Sequence, residues 1–398
     1  MESRVDVDKN IVMRIGVRPR SMIMFISCLA LGVASAMAQD STSTGAAKPR
    51  QQGSANAAPL TAPDVSRLKA KAEAGDASAQ ASLGKAYKDG NGVPKNDAQA
   101  LRWFHKAADQ GDASAENDLG VMYRVGEGVP QDNDEALRWY KKAAKHGNPK
   151  AMFNLGASYY NGDGVEVDDV ASYAWFLLAQ EGGSPAANEA LRRADSEREA
   201  TPSAGFVKVA EMYEAGDDLP KSAVEALKWY RRAADAGDAK ASVTVAKLLL
   251  SAGRTPAPEE YAEVRQRCED AAKRNFSPGA YCMVLVYKRG IGTAKDQVEA
   301  QKWMGRAAEL GHPQAALELG EAYWRGDGVR TDLVTAYMWI WLAFNAKVAG
   351  AQQDEQALQK EMSPKQIEQA KGKASEWAAR HRLPTIYERR GVNSPPQH

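Results

Sequence analysis

Histidine and cysteine are scarce in this chain, with five of the one and three of the other in 398 residues. The histidines (His105, His146, His312, His381 and His398) include no pair at i, i+4 and no H-E-x-x-H, which argues against a zinc site. His146, in the last turn of a helical stretch, reads as a cap on exposed carbonyls. No nucleophile elbow, Walker loop or dinucleotide fingerprint occurs. The sequence therefore nominates no catalytic residue, metal or cofactor, and is read as non-enzymatic. Net charge is nearly absent too, at 52 Lys and Arg against 51 Asp and Glu. A nucleic-acid partner would call for a basic domain, and an anionic lipid surface for a polybasic run. Neither is expected as a partner.

A long apolar run is also missing. Met22 to about Ala34 falls short of the roughly 20 residues that cross a bilayer. Arg14, Arg18 and Arg20 precede that stretch and Ala36-Met37-Ala38 follows it, the layout of a secretory signal peptide cleaved after Ala38. A retained anchor, a lipoprotein linkage at Cys28 and initiation at Met13 are the alternatives. The expectation is a periplasmic or secreted bacterial protein, free of the membrane once residues 1–38 are removed. It would keep only Cys268 and Cys282, in an oxidising compartment. Residues 39–63, rich in Ser, Thr, Ala, Gln and Pro, read as a disordered linker.

What the chain has in abundance is repetition. Asp76-Ala77-Ser78-Ala79 returns 36 residues later as Asp112-Ala113-Ser114-Ala115, with Asn148-Pro149-Lys150-Ala151 next in line. Leu83-Gly84 matches Leu119-Gly120, Leu155-Gly156 and Leu319-Gly320, and Tyr87 matches Tyr123, Tyr159, Tyr213, Tyr287 and Tyr323. Gly90-Asn91-Gly92-Val93 recurs at Gly126, Gly162 and Gly326. Trp103 matches Trp139, Trp175, Trp229, Trp303 and Trp339.

The spacing is that of packed helices. Ala79, Leu83, Ala86 and Tyr87 fall on one face. Gly84 beside them, costing roughly 1 kcal/mol against Ala in a helix, implies close helix–helix approach. Gly90 and Gly92 supply the left-handed backbone past a helix end. Asn96 with Gln99 and Asp132 with Glu135 form capping-box patterns that open a second helix, with Leu101, Trp103, Phe104, Ala107 and Ala108 on its buried stripe. Each unit is thus an αα-hairpin that needs neighbours to cover its apolar face. The Trp column reads as inter-repeat core rather than as a ligand-stacking series.

The pattern A-x-x-x-L-G-x-x-Y, G-x-G-V, W-x-x-K-A-A resembles the Sel1-like repeat family, relatives of the tetratricopeptide repeats. The resemblance implies an all-α hairpin solenoid of about seven ~36-residue units over 76–345. It also implies a protein-binding role, in signal regulation, exopolysaccharide control or host contact. A structural scaffold of an envelope assembly and a β-lactamase-like hydrolase are the competing classes, the last with no catalytic constellation behind it. The fourth unit departs at Gly216-Asp217-Asp218-Leu219, and the fifth has Arg267 in place of Trp, with Pro256 and Pro258 in its loop.

Ala171-Ser172-Tyr173-Ala174-Trp175 resembles Thr335-Ala336-Tyr337-Met338-Trp339, suggesting two arrays, 64–200 and 201–345. Capping helices follow over 346–380 and a flexible tail over 381–398. Ser363, Pro364 and Gln366 suit a helix start, with Ile367, Ala370, Ala374 and Trp377 as its apolar face. Asn161-Gly162-Asp163-Gly164 with Asp168 and Asp169 supplies too few oxygens for a calcium loop and reads as a turn. Cys268 and Cys282 fall at similar heights on antiparallel neighbours and are expected to pair, free thiols being the alternative.

A partner should bind where the frame stays fixed and the chemistry varies. Lys88, Arg124, Tyr160, Glu214, Leu250, Lys288 and Trp324 occupy such a column just before each loop. Tyr, Trp and Arg are common hot-spot residues. The alternative is that Lys and Arg here only complement the helix C-terminal dipole.

Overall fold

The computed structural model describes residues 60–197 and 201–381, which form 18 helices and no strands. The expected leader, most of the linker and nearly all of the tail lie outside the described residues. Among the described residues, no helix is long and apolar enough to cross a membrane. The chain divides into two compact units, one ending at Ala200 and the other beginning at Thr201.

The first unit contains α1 (Ala62–Glu73), then the hairpins α2 (Ala77–Asp89)/α3 (Asp97–Ala108), α4 (Ala113–Val125)/α5 (Asn133–Lys145) and α6 (Pro149–Asn161)/α7 (Asp169–Glu181), and α8 (Pro185–Glu197). The linker therefore gives way to helix slightly early: Thr61 accepts from Asp64 N and closes a capping box at the start of α1. The second unit contains α9 (Pro202–Ala215)/α10 (Ala223–Asp235), α11 (Ala239–Leu250)/α12 (Pro258–Lys273), α13 (Ser277–Arg289)/α14 (Gln297–Glu309) and α15 (Pro313–Arg325)/α16 (Leu333–Asn345). It closes with α17 (Ala351–Gln359) and α18 (Pro364–Arg380). Within each unit, successive helices pack in chain order as far as α17, and α18 packs back on α16.

Six of the seven first helices end on a glycine held at φ between +68° and +81°: Gly90, Gly126, Gly162, Gly216, Gly290 and Gly326. Six of the seven second helices open on a side-chain cap, with Asn96 accepting from Gln99 N and Asp132 from Glu135 N. The capping boxes expected there form only by half. Glu135 turns away to pair with Arg138, whereas Ser363 and Gln366 close theirs completely.

The deepest column is one residue past the Trp column. Phe104, Tyr140, Phe176, Tyr230, Cys268, Met304 and Ile340 are all buried. Four of them meet the glycine of the Leu-Gly landmark on the first helix. A Cβ on Gly84, Gly120, Gly156 or Gly320 would lie 2.5–2.8 Å from Phe104, Tyr140, Phe176 and Ile340 respectively. The recurrent glycine is therefore a socket for a large side chain on the partner helix, as close packing requires.

The Trp column itself is uneven. Trp103, Trp175, Trp229 and Trp339 are buried, but Trp139 and Trp303 are only half-buried, which corrects the uniform core expected of them. In four of the six units, the buried Trp103 and Trp229 included, a cation stands three residues on. Lys106, Lys142, Arg232 and Arg306 lie over the rings of Trp103, Trp139, Trp229 and Trp303 at 4.1–5.2 Å. Lys142 Nζ also donates to Ala108 O (3.1 Å), and Arg306 Nη2 to Ala272 O (3.1 Å). Each thus caps the second helix of the preceding hairpin.

Both arrays end in the same way. At Leu178 and Leu342 the cation is gone, and α7 buries every residue from Ala171 to Ala179. A helix apolar all round must be covered on all sides, and α8 lies on α7 while α17 and α18 lie on α16. The duplicated tyrosines make equivalent ties: Tyr173 donates to Asp195 (2.7 Å), and Tyr337 to Glu355 (2.5 Å). Trp377 packs edge-on against Trp339 at 5.4 Å, and Ala370, Ala374 and Ala378 are buried.

Burial raises the Tyr140 phenol to about 12, and burial with acceptor carboxylates raises those of Tyr230, Tyr281 and Tyr337 further. These groups stay neutral in the fold while an unfolded tyrosine ionises near pH 10. Their contribution to stability is complete below pH 10 and declines as pH rises through the folded values. Absorbance titration at 295 nm should show these four ionising after the other tyrosines, together with unfolding.

Candidate interaction surface

The variable column lies at the C-terminal end of each first helix. Lys88, Arg124, Tyr160, Glu214, Lys288 and Trp324 are penultimate residues, and Leu250 is a last one. Its members are less free than the sequence suggested. Lys88, Arg124, Tyr160 and Trp324 are half-buried, whereas Glu214, Leu250 and Lys288 are exposed. Two bond within their own hairpin: Arg124 Nε donates to Tyr140 Oη (3.3 Å), and Glu214 accepts from Tyr230 Oη (2.8 Å). Three reach beyond their own hairpin. Lys88 is 3.9 Å from Glu127, Lys288 donates to Glu318 (2.7 Å), and Trp324 Nε1 donates to Glu361 (3.0 Å). Ion pairs this close to solvent contribute about 0–1 kcal/mol. A partner's charges can replace them at little cost.

Around this column the first helices of adjacent repeats meet through polar side chains. Asn154 donates to Asn117 (3.0 Å). Burial raises the Asp118 carboxyl against the opposing pull of Lys88, Lys85 and Lys150. In the second unit Tyr281 donates to Glu318 (2.6 Å) and stacks on His312 at 4.2 Å. Burial pushes Glu318 up, but bonds from Lys288 and Tyr281 outweigh it and hold the carboxyl below its usual range. Burial lowers His312. Within each unit the arrangement offers hydrogen bonds and charged side chains at the helix ends.

Six segments match the Sel1 repeat: 77–112, 113–148, 149–184, 207–238, 280–312 and 313–340, together half of the chain. The chain belongs to the Sel1 repeat family. Sel1 repeat proteins generally mediate protein–protein interactions and are typically non-catalytic scaffolds. The hairpin α11/α12 falls between matched segments, although its two helices pack as the others do.

The chain is 26% identical over 140 residues to the uncharacterized protein NMB1327 of Neisseria meningitidis serogroup B, covering 35% of this chain and 28% of that protein. Among solved structures it is similar to c5321, a protective antigen present in uropathogenic Escherichia coli strains, with 27% identity and a TM-score of 0.43. That match covers 85% of this chain and 77% of c5321. It is also similar to a Sel1 repeat protein from Oxalobacter formigenes, with 23% identity and a TM-score of 0.40, covering 87% and 99% of the two chains.

In the Sel1 frame the acidic loop before α7 serves architecture. Asn161 donates to Asp163 (3.3 Å), and Asp168 caps α7 by accepting from Ala171 N (2.8 Å). Among the described residues, no three His, Cys, Asp or Glu converge on a metal position. His146 is not the carbonyl cap expected of it. Its Nδ1 lies 2.8 Å from Oε2 of the fully buried Glu116, whose Oε1 is 3.2 Å from Lys142 Nζ. Sequence reading missed Glu116 because its repeat equivalents are Gln80 and Met152. The S-x-x-K spacing of a β-lactamase-like nucleophile occurs twice, on open helix surface. Ser66 donates to Ala62 O beside Lys69, which pairs with Glu73, and Ser82 and Lys85 are both exposed.

Proposed function

We propose that this Sel1 repeat chain is exported and acts as a protein-binding adaptor or regulator in the bacterial envelope, in signalling or exopolysaccharide-related assembly. The observation that carries this reading is the column of helix ends. Lys88, Arg124 and Tyr160 in one unit, and Lys288 and Trp324 in the other, differ in chemistry at equivalent positions of a constant frame. A constant frame with a variable edge suits recognition of a specific partner. The basic and apolar leader, with its small residues ending at Ala38, supports export.

Expression of the full-length chain with a C-terminal tag, followed by fractionation and intact mass, tests the export step. The mature protein should begin at Gln39 and appear outside the cytoplasm. A full-length cytoplasmic product would reject export. Affinity capture from envelope extracts tests the adaptor reading. A Tyr160→Ala/Trp324→Ala variant with wild-type helicity should lose the captured partner, and equal capture would remove the column from the interface.

A further inference from the structure

The fifth hairpin keeps the Asp238 cap at the start of its first helix but has lost several other devices that hold its neighbours. Its first helix, α11, ends at Ser251 (φ −100°) where six others end on a left-handed glycine. Its second helix, α12, begins at Ala257, whose methyl group cannot accept from the first turn, so that only the Glu260 half of a capping box remains, accepting from Ala257 N (2.8 Å). The following helix, α13, begins at Phe276, again without a side-chain cap. Arg267 stands in the Trp column and pairs with Asp235 and Glu263. The large apolar or aromatic side chain that follows the Trp elsewhere is replaced by Cys268, fully buried and bonded to Cys282 on α13, with Cα atoms 5.5 Å apart. Gly279 lets the two backbones close beside the bridge, where a Cβ would sit 2.5 Å from Ala271.

We infer that the Cys268–Cys282 disulfide is the clamp of this hairpin, doing by covalent linkage what the tryptophan, the large residue after it and the left-handed glycine do elsewhere. Reduction then loosens one place, α11 to α13, and leaves the remaining hairpins packed. In a repeat array, stability is carried by each unit and its nearest neighbours, so a local loss need not spread. The bridge closes a 14-residue separation, long enough for a substantial effect on the unfolded chain. The reductant is a dithiol. Its thiolate attacks Sγ of the half-buried Cys282 and displaces the Cys268 thiolate, which takes up a proton. Its second thiol then resolves the mixed disulfide, so that both cysteines end as thiols and the dithiol as a cyclic disulfide.

The test is hydrogen exchange of the full chain before and after dithiothreitol, with reduction scored by iodoacetamide mass. The Cys268→Ala/Cys282→Ala variant is read in parallel, for the case where the bridge resists the reagent. Amides of α11–α13 should exchange at least tenfold faster without the bridge, and those of α2–α7 should not change. The second unit should melt roughly 5–10 °C lower. Unchanged exchange in the bridge-free protein, unfolding of the whole second unit, or two alkylated thiols before any reductant would each overturn the inference.

Discussion

Trp175→Ala should lower the stability of the first unit by about 3–5 kcal/mol, the range for deleting a fully buried aromatic. Trp175 is 1% exposed, in a helix that buries every residue from Ala171 to Ala179. With α6 on one side and α8 on the other, the cavity left by the ring has no route to solvent and little room to collapse. Trp139→Ala, one repeat earlier, should cost roughly half as much, because burial energy scales with the area removed from water. Its ring is half-buried, edge-on to His105 and beneath Lys142. Urea unfolding followed by circular dichroism separates the two. Equal losses would mean that the column is one environment after all.

Gly120→Val should cost the same unit about 3 kcal/mol by overpacking. The first added carbon would lie 2.5 Å from the Tyr140 ring and 3.1 Å from Ala136 O. Tyr140 has nowhere to go, being fully buried and held at its hydroxyl by Arg124. Tyr140→Ala in the Gly120→Val background should cost less than in the wild type, because the two positions share one socket. Gly305→Ala is the control. That helical glycine has no neighbour within 4 Å of a built Cβ, and alanine there should stabilise by up to about 1 kcal/mol. If Gly120→Val melted like Gly305→Ala, the glycine would owe its recurrence to something other than space.

The repeat frame was legible because its determinants are local and recur. Loop glycines, helix caps and apolar spacing each act within one hairpin, so every repeat states them again. The pairing of Gly84, Gly120, Gly156 and Gly320 with a large residue after the Trp position was also written in the sequence. It shows only when the two columns are read against each other, large against small. The array ends were signalled by loss of polarity, at Leu178 and Leu342, where a cation would otherwise stand.

What sequence could not give depends on the neighbouring repeat. The side-chain partners of Lys88, Lys288 and Trp324 lie 30–39 residues away, and no periodicity announces which acid will face them. His146 and Glu116 met for the same reason, through the stacking of one hairpin on the next. At the candidate surface the positions were readable, but their degree of exposure was not.

These hairpins hold their helices only because neighbours cover them. Helices of 12–13 residues are marginal alone in water, and most here have that length. The direct measurement is far-UV circular dichroism of an isolated hairpin, residues 113–148, beside the whole first unit, residues 60–197. The unit should be strongly helical and melt cooperatively, while the lone hairpin should be mostly unfolded. A lone hairpin as helical as it is within the unit would contradict the account.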